Sequence, residues 1–349
     1  MKFSTSIREL MKVWISKVQG PLLTLLKISI AALLIWWLIS DDKLDFSALG
    51  KLWQNPSILF ATIAFWVFGA VTLCAFRWRA LVLGMNFSLS VFQSIRLNLI
   101  GLFFNTIMPG VVGGDVIKAI YVCKGQAKGT KVPVLLTILL DRVMGLVALF
   151  TLSMGAILFN WEIVMANTML QPFVMLIFGI MASLFLFAAF VALPTEFKEK
   201  VPPISWIYRI IMKVIFIKNI YLALRSYKDK PGYILQALVF ALFHQLIYML
   251  LFILVTSSFT SSPIQIGLLA TILPLGIVTT ALPLAPGGLG VGHVAFEKLF
   301  AMIGLSDGAN VFNIIFFGVI FLNLLGSIPY LFIRSELSPL LETAEGNGI

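Results

Sequence analysis

The sequence predicts an all-α polytopic membrane protein with about six full spans and two re-entrant helical hairpins, arranged as an inverted repeat. Three observations lead there. Hydrophobic residues make up 60% of the 349-residue chain against 11% charged, and the mean hydropathy is +1.02, more apolar surface than a soluble domain buries. The apolar residues come in runs of about 20 without alternation, which suits membrane helices and not a β-barrel. Two runs break in mid-course, at Pro109-Gly110 and at Pro286-Gly287.

Residues 1–20 interleave Lys2, Arg8, Lys12 and Lys17 with apolar residues. They read as a basic interfacial helix leading into a span too long for a signal peptide. The first half, 21–160, opens with a span at 21–40, in which Lys27 can snorkel. The second span covers 56–76 and ends at Arg77 and Arg79, which read as interfacial anchors. A hairpin at 91–121 enters with Arg96, breaks at Pro109-Gly110 and returns through Gly113 and Gly114. After Lys124, Lys128 and Lys131 comes a span at 132–159 with Asp141-Arg142 inside it. The second half, 161–335, begins with a loop free of Lys and Arg and a span at 172–193. Residues 194–231 form the most basic segment, and their aromatic and aliphatic residues suggest an amphipathic surface helix. A span at 232–256 carries His244. A hairpin at 264–303 breaks at Pro286-Gly287-Gly288, a last span covers 309–333, and a disordered tail is expected at 336–349.

Loop charges set the topology. With every basic segment placed on the cytoplasmic side, the first hairpin enters and leaves inside and the second outside, so the halves are related by inversion. Both termini are then cytoplasmic and the membrane is the cell inner (cytoplasmic) membrane. The hairpins share P-G-x-x-G, as Pro109, Gly110, Gly113 and as Pro286, Gly287, Gly290, about half the chain apart. Such repeats with broken helices near the midplane mark transporters. The net charge of +10 belongs to membrane orientation and gives no reason to expect nucleic acid. Cys74 and Cys123 match no metal spacing and read as packing residues.

Unpaired backbone groups cost several kcal/mol each in hydrocarbon, so a Pro-Gly break is tolerated where protein or a wet cavity covers it. The glycines permit close approach of a ligand, and the helix starts after Gly113 and Gly290 offer free N–H groups suited to a phosphate. Asp141 and Arg142 lie about 15 Å deep at helical rise, where charges pair or face water. Asp141 is expected to pair with Lys118 or Arg96, and Arg142 with Asp115 or a ligand. A structural ion pair and substrate contact are equally open. Asn98 and Asn105 share a helix face. His244, His293 and Glu297 are secondary candidates; a core histidine is the commoner role for His244, and Glu297 can pair with Lys298. No nucleophile, metal or nucleotide motif is present, and neither a cofactor nor a metal is expected.

Three ordered motifs, FNTIMPGVVGGDVIKA, LLDRVMGL and LPLAPGGLGVGHVAFE, resemble those of the lysylphosphatidylglycerol synthase transmembrane-region family, the flippase-like proteins. The resemblance covers nearly the whole chain and extends to the membrane domain of the multiple peptide resistance factor, without its soluble synthase domain. It implies a transporter that moves an anionic or modified phospholipid, or a polyprenyl-type lipid, between leaflets. The motif positions carried over are Asn105, Pro109, Gly110, Gly113, Gly114, Asp115, Lys118, Asp141, Arg142, Pro286, Gly287, Gly288 and Gly290. Lys118 stands where arginine is frequent; it keeps the charge and loses the bidentate fork. The partner expected is a membrane phospholipid or isoprenoid-type lipid, with a homo-oligomer left open. Two rival readings are a membrane glycosyltransferase using a polyprenyl-phosphate sugar, with Asp115, Asp141 or Glu297 as its carboxylate, and a non-catalytic subunit of an envelope complex.

Overall fold

A computed structural model describes residues 29, 33, 36, 40, 50–107, 113–123, 131–260, 264–281 and 288–332. The basic N-terminal helix, most of the first span, the tips Pro109-Gly110 and Pro286-Gly287 and the C-terminal tail lie outside the described residues. Among the described residues there are helices and no strands.

Helix α1 (Gly50–Gln54) leads into α2 (Pro56–Gly84). Asn55 caps α2, its Oδ1 accepting the Ser57 N–H at 3.1 Å, and Pro56 supplies the fixed φ of a first turn. Between Phe65 and Leu73 the helix is π-helical. It does not stop at Phe76, as its charges suggest, but continues to Gly84. Both arginines that would end it are satisfied inside the protein: Arg77 pairs with a carboxylate, and Arg79 Nε donates to the Leu89 carbonyl at 2.8 Å. Asn86, in left-handed conformation (φ 65°), turns the chain out of the helix.

Helices α3 (Val91–Ile107) and α4 (Gly113–Cys123) pack against each other. At 1.5 Å per residue they are roughly 25 and 16 Å long, short of the ~30 Å hydrocarbon core. The contact is close because a Cβ on Gly114 would sit 2.0 Å from the Gly101 carbonyl oxygen. Helix α5 (Lys131–Phe159) is followed by α6 (Trp161–Ala166) and α7 (Gln171–Ala192).

The basic segment folds as three short helices, α8 (Thr195–Lys200), α9 (Pro202–Lys213) and α10 (Ile215–Arg225), rather than one. Prolines at 202 and 203 restart the helix. Lys198 and Arg225 finish α7 by donating to the carbonyls of its last turn, Lys198 Nζ to Val191 at 3.1 Å and Arg225 Nη1 to Val191 and Leu193. Lys198 is covered, and that burial, with Arg225 nearby, lowers its ammonium to about 8.

Helix α11 (Pro231–Ser257) precedes a second short pair, α12 (Ile266–Ala281) and α13 (Val291–Met302), and then α14 (Gly308–Phe332). Among the described residues five helices are long and apolar enough to cross a membrane: α2, the stretch Val132–Phe159 of α5, α7, α11 and α14. They correspond to five of the six expected spans. Helices α5 and α11 form the axis of the packing. α5 touches α2, α4, α7, α10, α11 and α12, and α11 touches α2, α5, α12 and α14. The largest core cluster, with Phe252, Phe296, Phe300 and Phe312, joins α11, α13 and α14.

Candidate functional site

Charged and amide side chains from α2, α3, α4 and α5 meet in one group. On α5, Thr137, Asp141 and Gly145 recur at four-residue spacing and share a face. Thr137 Oγ1 accepts the Trp78 Nε1–H at 3.2 Å. Asp141 receives a two-bond contact from Arg77, Nε to Oδ1 at 2.6 Å and Nη2 to Oδ2 at 2.9 Å, the fork geometry that makes such pairs strong. Gly145 leaves room for the guanidinium: its Cβ would lie 3.4 Å from Arg77 Nη1. Both partners are covered, with side chains 9% and 15% accessible.

The second pair joins α4 to α5. Arg142 donates from Nε (2.9 Å) and Nη2 to Asp115 Oδ2. Asp115 is buried, while the Arg142 side chain is 43% accessible, so this pair forms the open edge of the group. Lys118 follows one turn after Asp115 on α4. Its stem lies over Gly101, and Nζ donates to Asn98 Oδ1 at 2.9 Å and stands 5.3 Å from the Trp78 ring centre. Asn98 in turn donates through Nδ2 to the Ala70 and Val71 carbonyls of the π-helical stretch. Asn105 Oδ1 accepts the Gly114 N–H at 2.9 Å, so one of the amides free at the start of α4 is already taken.

Asp141 therefore pairs with Arg77, not with Lys118 or Arg96. Arg77 is buried in this group and is no interfacial anchor. Arg96 lies outside it. Two residues apart on a helix means about 200° of rotation, so Arg96 leaves α3 on the side away from Asn98, and its Nη2 donates to the Tyr121 hydroxyl at 2.8 Å.

The sequence profile described as the lysylphosphatidylglycerol synthase TM region matches residues 24–326. The chain belongs to this family. A curated relative, a UPF0104 membrane protein of Pyrococcus horikoshii, is 25% identical over 197 residues, which is 55% of either chain. The match thus spans about half the length of that relative. No solved structure matches the chain. The family, with five helices long and apolar enough to span, makes this a multi-pass membrane protein.

His293 and Glu297 are placed apart from the central group. His293, on α13, is fully buried. Its Nδ1 accepts the Gly290 N–H at 3.3 Å and its Nε2 lies 3.2 Å from Asn313 Oδ1. With Nδ1 accepting, Nε2 carries the proton and donates to Asn313, tying the start of α13 to α14. Gly288 and Gly290 both have φ of 78°, the left-handed region that favours glycine. Glu297 accepts the Ala309 N–H at 3.1 Å, a carboxylate at the start of α14. His244, on α11, packs on Phe65 with its ring 5.6 Å away and its Nδ1 buried without a partner, within electrostatic reach of Arg77 and Asp141. Among the described residues no group of three His, Cys, Asp or Glu side chains could hold a metal. Sequence reasoning missed Arg77, Trp78 and Thr137; their signal is the shared face of α5, which needs the partner helix to be read.

Proposed function

We propose that the chain is a flippase-type lipid transporter of the inner membrane that moves an anionic or modified phospholipid, or a polyprenyl-type lipid, between leaflets. One observation carries the reading: among the described residues of the central group, cations outnumber carboxylates. Arg77, Lys118 and Arg142 stand against Asp115 and Asp141, and Lys118 is buried with the neutral partners Asn98 and Trp78. An excess positive charge is costly at membrane depth unless an anion or water shares the site. A lipid phosphate reaching the accessible Arg142 would supply that anion, with Lys118 behind it and the acyl chains left in the bilayer.

In this reading α3–α4 and α12–α13 are re-entrant hairpins. Each of the four helices is too short to cross the bilayer alone, and the loop charges place the pairs on opposite faces. Rocking of one against the other would expose the group to each side in turn. The occupied state of the carboxylates supports transport over glycosyl transfer: Asp115 and Asp141 are held by arginines and Glu297 by a backbone amide.

The test is reconstitution in liposomes that carry fluorescent or aminoacylated phosphatidylglycerol in one leaflet. The expected result is protein-dependent movement between leaflets, slowed at least tenfold by Lys118→Gln or Arg142→Ala in protein that still folds. No movement of any lipid offered, or variants as fast as the unmodified protein, would overturn the proposal. Sugar transfer from a polyprenyl-phosphate donor, lost in Asp141→Asn, would favour the glycosyltransferase instead.

A further inference from the structure

Helices α3 and α14 approach closely at Gly326, where a Cβ would lie 2.1 Å from the Leu99 carbonyl oxygen. Nearby hydrogen bonds hold that contact: Asn323 Nδ2 donates to Thr106 Oγ1 at 3.1 Å, and Trp66 Nε1 donates to Asn323 Oδ1 at 2.9 Å. Beyond Gly326 the helices leave a groove between them. The α14 backbone is irregular here, with a 3-10 turn at Leu324–Gly326 and a proline at 329 that cannot donate to the preceding turn.

The groove encloses about 320 Å³ between Phe92, Ile95 and Leu99 of α3 and Ile328 and Phe332 of α14, with Arg96 in its wall. Phe92 is 73% and Phe332 76% exposed, so its mouth faces outward, where a membrane protein meets lipid. Its inner end is shut by the Gly326–Leu99 contact. Arg96 is the charged group here. It holds the Tyr121 hydroxyl through Nη2, has no carboxylate within ion-pair reach among the described residues, and leaves its buried Nε without an acceptor. A guanidinium that meets a hydroxyl and no carboxylate among the described residues, set in an otherwise apolar wall, calls for an anion, and its planar fork suits phosphate.

We propose that this groove is a lateral port that takes one anionic phospholipid from the surrounding leaflet, its phosphate on Arg96 and one acyl chain along Leu99, Ile328 and Phe332. The occupant is a lipid rather than a free anion because five of the six groups named are apolar and run along the two helices. The port rests on the transport reading and adds to it an entry point on the face of α3 opposite the central group. Passage from one to the other requires α3 and α14 to part at Gly326.

Binding can be read without transport. Full-length protein carrying a benzoylphenylalanine photocrosslinker at position 332 is placed in nanodiscs of equimolar phosphatidylglycerol and phosphatidylcholine with identical chains. After illumination, lipid adducts are counted by mass spectrometry. The port predicts at least a fivefold excess of phosphatidylglycerol adducts, reduced to parity by Arg96→Gln and kept in part by Arg96→Lys. Ile328→Trp, which fills the groove without touching the charge, should lower adducts of both lipids. Parity in the unmodified protein, or an excess that survives Arg96→Gln, shows ordinary boundary lipid and overturns the port. A lost excess in Arg96→Gln upholds the port even where liposomes show no lipid movement. Lipid movement by protein that shows parity leaves transport standing and removes the port.

Discussion

Arg77 and Asp141 form a pair that neither residue can leave alone. Removing one partner of a buried ion pair strands the other charge and costs about 3–5 kcal/mol, whereas replacing both with apolar groups is often neutral. Arg77→Met should therefore lower the thermal unfolding midpoint in detergent strongly, and Arg77→Met with Asp141→Leu should recover most of the loss. A double variant no more stable than the single one would contradict this. The Asp115–Arg142 pair is more open and should matter less to stability. The sequence showed Asp115, Asp141 and Arg142 because a charge inside an apolar run is conspicuous. It hid Arg77 because an arginine at the end of an apolar run looks the same whether it meets headgroups or a carboxylate 64 residues on. The pairing is a property of two helices, and local pattern holds only one.

Helices differ in how much of their contact depends on a missing side chain. α4 reaches α3 through Gly114, whose added Cβ would strike the Gly101 backbone, an obstacle that no side-chain rotation relieves. Gly155 on α5 has nothing within 4 Å of the same position. Gly114→Ala should separate the two helices, pull the Gly114 N–H from Asn105 and lower the unfolding midpoint by several degrees. Gly155→Ala should be neutral or stabilising by up to ~1 kcal/mol through helix propensity. Differential scanning of the purified variants distinguishes them, and equal behaviour would refute the close-packing account. Apolar runs gave the long helices almost residue by residue, since burial in lipid leaves little choice. They failed at α2, whose inner part is apolar only toward its neighbours, and in residues 194–231, where two adjacent prolines divide a basic stretch that otherwise reads as one amphipathic helix.

For the whole molecule the strongest sequence signal is the uneven distribution of charge. The basic residues between 198 and 230 are gathered at one end of α7 and α11, and the turn holding Trp161 and Asn167 is at the other end of α7. Positive-inside orientation predicts the first in the cytoplasm and the second outside. With Cys74 and Cys123 replaced by serine, a single cysteine at Met169 should label with a membrane-impermeant maleimide in intact cells. One at Ile215 should label only after permeabilisation; the reverse pattern would invert the topology and exchange the roles proposed for the two short helix pairs. P-G-x-x-G and the loop charges are the sequence's grounds for proposing an inverted repeat. The packing around its second motif, such as His293 between Gly290 and Asn313, was not legible, because an apolar helix shows no preference among its neighbours until they are in place.

The π-helical stretch of α2 has a consequence for how this chain compares with others. Between Phe65 and Leu73 bonding runs five residues back, as when the Cys74 N–H donates to the Gly69 carbonyl, so the helix accommodates more chain per turn than an α-helix does. Each residue counted in or out rotates the remainder of the helix by about 100°. The span is thus out of phase with itself: residues before the stretch and residues after it obey two different periodicities. Length changes are normally absorbed in loops, but a relative shorter by one residue here would keep its helix and swing the position of Arg77 away from Asp141. An ungapped alignment across this span would then match the arginine to the wrong neighbour and hide the ion pair from any search for paired charges.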